Sequence, residues 1–145
     1  MPTDLPRQSP ALRRVVAARA QGKCEYCQTP EQFATQSYSL DHILPRAAGG
    51  ATILENLAWA CLGCNAYKHI QTHAVDPVTY ERIALYHPRR QTWGEHFTWN
   101  AEGTHLIGKT ACGRATVDAL RLNRSGLINL RRVLVAAKLF LLGDS

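Results

Sequence analysis

The sequence predicts an α+β fold, with a strand–loop–strand–helix core in the first half, one helix before it, and a β-hairpin plus two helices after it. Three observations carry that prediction. Two Cys-x-x-Cys pairs, Cys24/Cys27 and Cys61/Cys64, bracket a segment of 33 residues. Within that segment short alternating or apolar runs read as strands, punctuated by Pro45 and Gly49-Gly50. Outside it, apolar residues recur at helical spacing towards both ends of the chain.

Taken in order, Ser9-Pro10 has the chemistry of a helix start, with Ser9 as N-cap and Pro10 at the first helical position, where a missing N–H costs little. Leu12, Val15, Val16 and Ala20 then share a face, Arg13, Arg14 and Arg19 project elsewhere, and Gly22 closes the helix. Residues 28–36 are polar and read as loop. Tyr38–Ile43 alternates and reads as a strand stopped by Pro45, and Arg46–Gly50 reads as a loop whose two glycines allow backbone conformations other residues resist. Leu57–Ala60 is a short apolar strand. A helix is expected from Leu62 to about Thr72, which places Asn65, His69 and His73 at successive i, i+4 positions on one face.

Beyond Asp76-Pro77, Ala84–Pro88 reads as extended. His96–Trp99 and Thr104–Lys109 form a hairpin pattern across Asn100–Gly103. Gly113–Asn123 reads as a helix, and Ser125 is placed to cap a last one running to about Leu142. Trp93, Phe97 and Trp99 are expected to pack in a core rather than stack on bases.

With 145 residues, 46% of them hydrophobic and 19% charged, the chain is long enough to fold around its own core, burying roughly 70% of its unfolded surface. The longest apolar run, Val133–Leu142, is interrupted by Lys138 and falls well short of the roughly 20 residues a membrane span needs. The opening MPTDLPRQSP has no apolar secretory core, so a cytoplasmic location is expected. The net charge of +6 is uneven: +4 over residues 1–23 and +5 over 112–140, against −2 over 24–75. Basic flanks around a mildly acidic centre suit a polyanion held by the flanks, although solvated helix faces would give the same charge count.

Four thiols in two tight pairs supply the soft, negative ligands that a tetrahedral zinc prefers, and a closed four-thiolate site is structural rather than catalytic. Reduced core cysteines or two disulfides are the alternatives. The fifth cysteine, Cys112, reads as a small buried residue. Between the pairs, His42 has the proton affinity of a general base near neutral pH, and Asp41 is a hard oxygen donor of the type that magnesium or manganese takes. Asn65 and His69 are placed to approach the same ion from the following helix.

In order and spacing, Cys24-x-x-Cys27, Asp41-His42-Ile43-x-Pro45, Gly49-Gly50, Asn56-Leu57 and Cys61-x-x-Cys64-Asn65-x-x-Lys68 resemble the HNH endonucleases of the ββα-metal (His-metal finger) type. The resemblance covers about a third of the chain. It implies a ββα-metal core clamped by a four-cysteine zinc site, with His42 as the general base and Asn56 bracing the loop and orienting the histidine. Asp41 and Asn65, with His69 less directly, become ligands of a catalytic divalent cation such as Mg2+ or Mn2+. Asn65 stands where many members carry His, which makes the ligand a weaker one. Arg46 is a basic residue expected on a nucleic-acid phosphate, and Lys68, at the place of the family's common basic residue just after the second pair, is either structural or on phosphate. The implied organisation is a helix and nuclease core over residues 1–75 and an α+β extension, packed on that core, over 76–145. The implied activity is hydrolysis of phosphodiester bonds in double-stranded DNA, the competing reading being a non-catalytic zinc module that binds nucleic acid through a degenerate site.

Overall fold

The computed structural model describes residues 4–6 and 9–140. Among them lie three two-stranded antiparallel sheets and five helices, a mixed α/β architecture. The chain divides into two compact units. The first takes the described residues through Thr72 together with His87–Arg90, and the second takes His73–Tyr86 and the described residues from Gln91 onwards.

The first unit opens with α1 (Pro10–Arg19), where the Ser9 side chain caps the Leu12 N–H at 3.3 Å and Pro10 occupies the first turn. Leu12 and Val16 are its buried residues, whereas Val15 is half exposed and stands off the expected apolar face. Gln21 and Gly22 both take left-handed backbone and turn the chain into Cys24. Strand β1 (Ser39–His42) pairs antiparallel with β2 (Leu57–Ala60) in a register that sets Asp41 opposite Ala58 and His42 opposite Leu57. Every residue of β2 is buried, because α1 lies against both strands and the cysteine cluster closes its far end.

Helix α2 (Leu62–Lys68) packs on β1 and is shorter than the sequence suggests. At His69 the backbone turns to φ 50°, ψ −122°, so the helix stops at Lys68. The expected stack of Asn65, His69 and His73 on one helical face does not form. His73 instead begins β3 (His73–Val75) in the second unit.

In that unit β3 pairs with β4 (Arg82–Ala84), a hairpin not expected from the sequence. Its turn is organised by Asp76, whose buried carboxylate accepts from the Val78 N–H, the Thr79 hydroxyl and both Nε and Nη2 of Arg114. After the short helix α3 (Trp93–His96), β5 (Phe97–Trp99) and β6 (Leu106–Gly108) form the predicted hairpin. Helix α4 (Ala111–Ala119) starts earlier than expected because the Thr110 side chain caps it. Helix α5 (Ser125–Ala136) has Arg124, not Ser125, at its N-cap and stops short of the expected Leu142, which itself lies outside the described residues. Trp93 stacks on Phe97 at 5.1 Å and Trp99 meets Phe140 edge-on at 4.9 Å, so these aromatics form core. No helix among the described residues is long and apolar enough to cross a membrane.

Candidate active site and metal centre

The four cysteines Cys24, Cys27, Cys61 and Cys64 converge, their sulfurs all within 4.8 Å of one another and all four residues buried. Zinc–thiolate bonds of about 2.3 Å give a sulfur tetrahedron with edges of about 3.8 Å. The Cys27–Cys61 separation is 3.8 Å. The set could hold a metal ion and is consistent with zinc. Each pair forms its own small turn: the Cys27 N–H points at the Cys24 sulfur and the Cys64 N–H at the Cys61 sulfur, which also caps α2. Backbone N–H groups aimed at sulfur favour the thiolate form. Burial pushes the Cys24 thiol up, while bonds from its neighbours hold Cys61 down. A divalent cation would remove that conflict by taking all four as thiolates.

Strand β1 carries its functional side chains on two faces, as period-2 alternation requires. Ser39 and Asp41 share one face. Asp41 is 3% exposed; its Oδ2 accepts from the Tyr26 hydroxyl at 2.6 Å, and the Lys68 ammonium lies 3.2–3.3 Å from its two oxygens. The same ammonium donates to the carbonyls of His42 and Ile43 at 3.3 and 3.1 Å. Burial pushes the Asp41 carboxyl up, and the Lys68 charge pulls the other way. Asn65 joins this face through its amide, which donates to the Ser39 hydroxyl at 2.8 Å.

His42 occupies the other face. It is partly exposed, and its Nε2 lies 2.8 Å from the hydroxyl of Thr52, a fully buried residue on the loop between β1 and β2. That loop is tied at both ends by one side chain. Asn56 accepts the Leu44 N–H at 2.8 Å and donates to the carbonyls of Leu44 and Ala51 at 3.0 and 2.9 Å. Gly50 fits beneath it only because it has no side chain: a Cβ there would stand 1.7 Å from the Leu44 carbonyl oxygen. Arg46, on the same loop, donates to the Asp4 carboxylate at 2.8 Å and to the Gly50 carbonyl at 3.3 Å.

The site residues expected from sequence therefore separate into two groups. Asp41, Asn65 and Lys68 lie between β1 and α2, while His42, Asn56 and Arg46 lie along the β1–β2 loop. His69 belongs to neither; it is exposed just past the end of α2. Lys68, which the sequence leaves as structural or phosphate-binding, is 1% exposed, and its charge is directed at three protein groups. The Asp41 carboxylate is thus already engaged by a hydroxyl and an ammonium, which a divalent cation at Asp41 would share or displace. Among the described residues the four cysteines are the one group of three or more His, Cys, Asp or Glu side chains placed to hold an ion. Sequence reasoning missed Tyr26, Thr52 and Asp4. Tyr26 had a signal, an aromatic residue inside the tight Cys24–Cys27 turn, whereas nothing local marks the other two.

Residues 24–77 match the family model described as HNH endonuclease. Comparison with curated proteins and with solved structures gives no match. The resemblance read from the motifs thus holds over that segment, and it points to a nuclease-type function with a metal site at the cysteines.

Proposed function

We propose that this HNH segment is a phosphodiesterase acting on double-stranded DNA, with His42 as the general base. The observation that carries the proposal is the setting of the imidazole: partly exposed at the end of β1, held at 2.8 Å by a buried hydroxyl, and flanked by a loop whose two ends Asn56 ties together. His42 would take a proton from water as the water oxygen attacks phosphorus. The bond from phosphorus to the leaving sugar oxygen breaks, and that oxygen collects a proton from solvent.

Asp41 and Lys68 act as positioning residues in this scheme. Lys68 ties the carbonyls of His42 and Ile43 to the Asp41 carboxylate, which fixes the backbone that carries the imidazole. Asn56 fixes the same backbone from the loop side, its carbonyl accepting the Ile43 N–H at 2.9 Å. A zinc ion held by Cys24, Cys27, Cys61 and Cys64 would supply no chemistry in this scheme, since four thiolates would close its coordination. A magnesium or manganese ion at Asp41 would share the carboxylate with Tyr26 and Lys68 or displace one of them.

Plasmid nicking, with and without added Mg2+ or Mn2+, tests the reading. The parent protein is expected to nick, and His42→Ala to lose at least about two orders of magnitude in rate, the usual worth of a general base. A His42→Ala protein that cuts as fast as the parent removes His42 from the mechanism. The occupied Asp41 carboxylate favours a second reading, a zinc module that binds DNA without cutting it. That reading expects salt-sensitive binding and no nicking under any ion condition.

A further inference from the structure

Arg46 and the loop it belongs to are already holding an anion. The Asp4 carboxylate accepts the Thr52 N–H at 2.7 Å through Oδ1 and the Arg46 guanidinium at 2.8 Å through Oδ2. Next to it, the Leu5 N–H donates to the Thr52 carbonyl at 2.7 Å, so two consecutive residues strap this segment across the loop. Thr52 is also the residue whose hydroxyl contacts His42 Nε2. One residue therefore carries the anion on its backbone N–H and the imidazole on its side chain.

We propose that the Thr52 N–H and the Arg46 guanidinium form a phosphate site beside His42, and that Asp4 fills it in the free protein as an internal competitor of the nucleic-acid backbone. The proposal rests on the nuclease reading only for the identity of the anion. A carboxylate presents two oxygens on one centre, and a phosphodiester presents its two non-bridging oxygens in the same way. A guanidinium and a backbone N–H are the donors that suit either. The side chains of Arg46 and Asp4 are 41% and 46% exposed, so the pair is open to exchange with an anion from solvent. The Asp4 charge cancels that of Arg46 until the strap leaves. Binding a duplex then exchanges one internal ion pair for one phosphate contact.

The test is binding of a fluorescent DNA duplex to the full chain at low salt, with the duplex recovered intact and melting curves run on each variant. Asp4→Asn keeps the side-chain shape but removes the charge. It is expected to tighten binding about two- to fivefold, the range open to an exposed ion pair, and the gain should fade as salt rises. Asp4→Ala should behave alike, and Arg46→Ala should erase the gain of either. Amide exchange adds a readout that does not depend on affinity. On adding DNA, the Leu5 N–H should lose protection while the Thr52 N–H keeps it, having passed from carboxylate to phosphate.

Binding that is unchanged or weaker in both Asp4 variants, including no binding by any form, overturns the proposal. So does a gain that persists with Arg46→Ala. The outcome is separable from that of the nuclease reading. Nicking that depends on His42 without any Asp4 effect sinks the strap alone, whereas an Asp4 effect without nicking supports the strap and sinks the hydrolase.

Discussion

Lys68→Met removes one half of an ion pair whose two side chains are 2% and 3% exposed. The ammonium is buried, and Asp41 would keep its burial while losing its counter-charge. Deleting one partner of such a pair typically costs about 3–5 kcal/mol, because the remaining charge stays buried. At about 2–4 °C per kcal/mol for a chain of this size, the melting temperature should fall by about 6–20 °C. The pH dependence has a definite sign. Burial already raises the Asp41 carboxyl, with Lys68 opposing that shift, so the variant raises it further. A carboxyl raised on folding favours the folded state below its unfolded value and loses that contribution as pH climbs through its folded value. The deficit of Lys68→Met should therefore grow from about pH 5, just above the ordinary carboxylate value, to neutral pH. Adding Asp41→Asn should recover most of it, since a neutral amide tolerates the site better than a lone carboxylate. Denaturant unfolding at the two pH values, with zinc held constant, measures each contribution. A loss below about 1 kcal/mol, or one that is flat with pH and not rescued by Asp41→Asn, refutes the buried-pair argument.

Metal analysis of the purified protein is expected to give one zinc per chain, and Cys64→Ser should abolish it and unfold the first unit, since such ions contribute on the order of 10 kcal/mol to folding. Gly50→Ala is expected to cost about 1–3 kcal/mol or more in denaturant unfolding, because the new Cβ meets the Leu44 carbonyl oxygen at 1.7 Å. In the second unit, Arg114 and the Val78 N–H hold the Asp76 carboxyl below the usual carboxylate range. Stability from Asp76 is thus present above about pH 4 and lost as pH falls further. Asp76→Asn should flatten that part of the acid-unfolding profile.

Most of the first unit was legible because its constraints are local or rigidly spaced. Paired thiols announce an ion at any separation the fold can close, and a fully apolar Leu57–Ala60 announces a buried strand. What was not legible depended on contacts between distant residues. Lys68 looks like a solvent-seeking cation until Asp41, 27 residues earlier, is placed beside it. The helix carrying it looks longer than it is, since no glycine or proline marks the turn at His69. Thr52 is one hydroxyl among many until its loop is folded onto the imidazole. Period-2 alternation, by contrast, already separates Asp41 from His42 in the sequence, and the two side chains do fall on opposite faces of β1, one buried and one towards solvent.

The cysteine cluster has a consequence for the order in which the chain assembles. Each thiol pair makes its own turn and can capture a cation early and loosely, but the two halves are separated by 33 residues and meet only when β1 has found β2. Closing such a loop carries an entropic cost that the second pair of metal–sulfur bonds must overcome. Full coordination of a metal ion by the four thiols would therefore be a late event, and a cobalt ion there would report by its colour the moment at which the two strands lock.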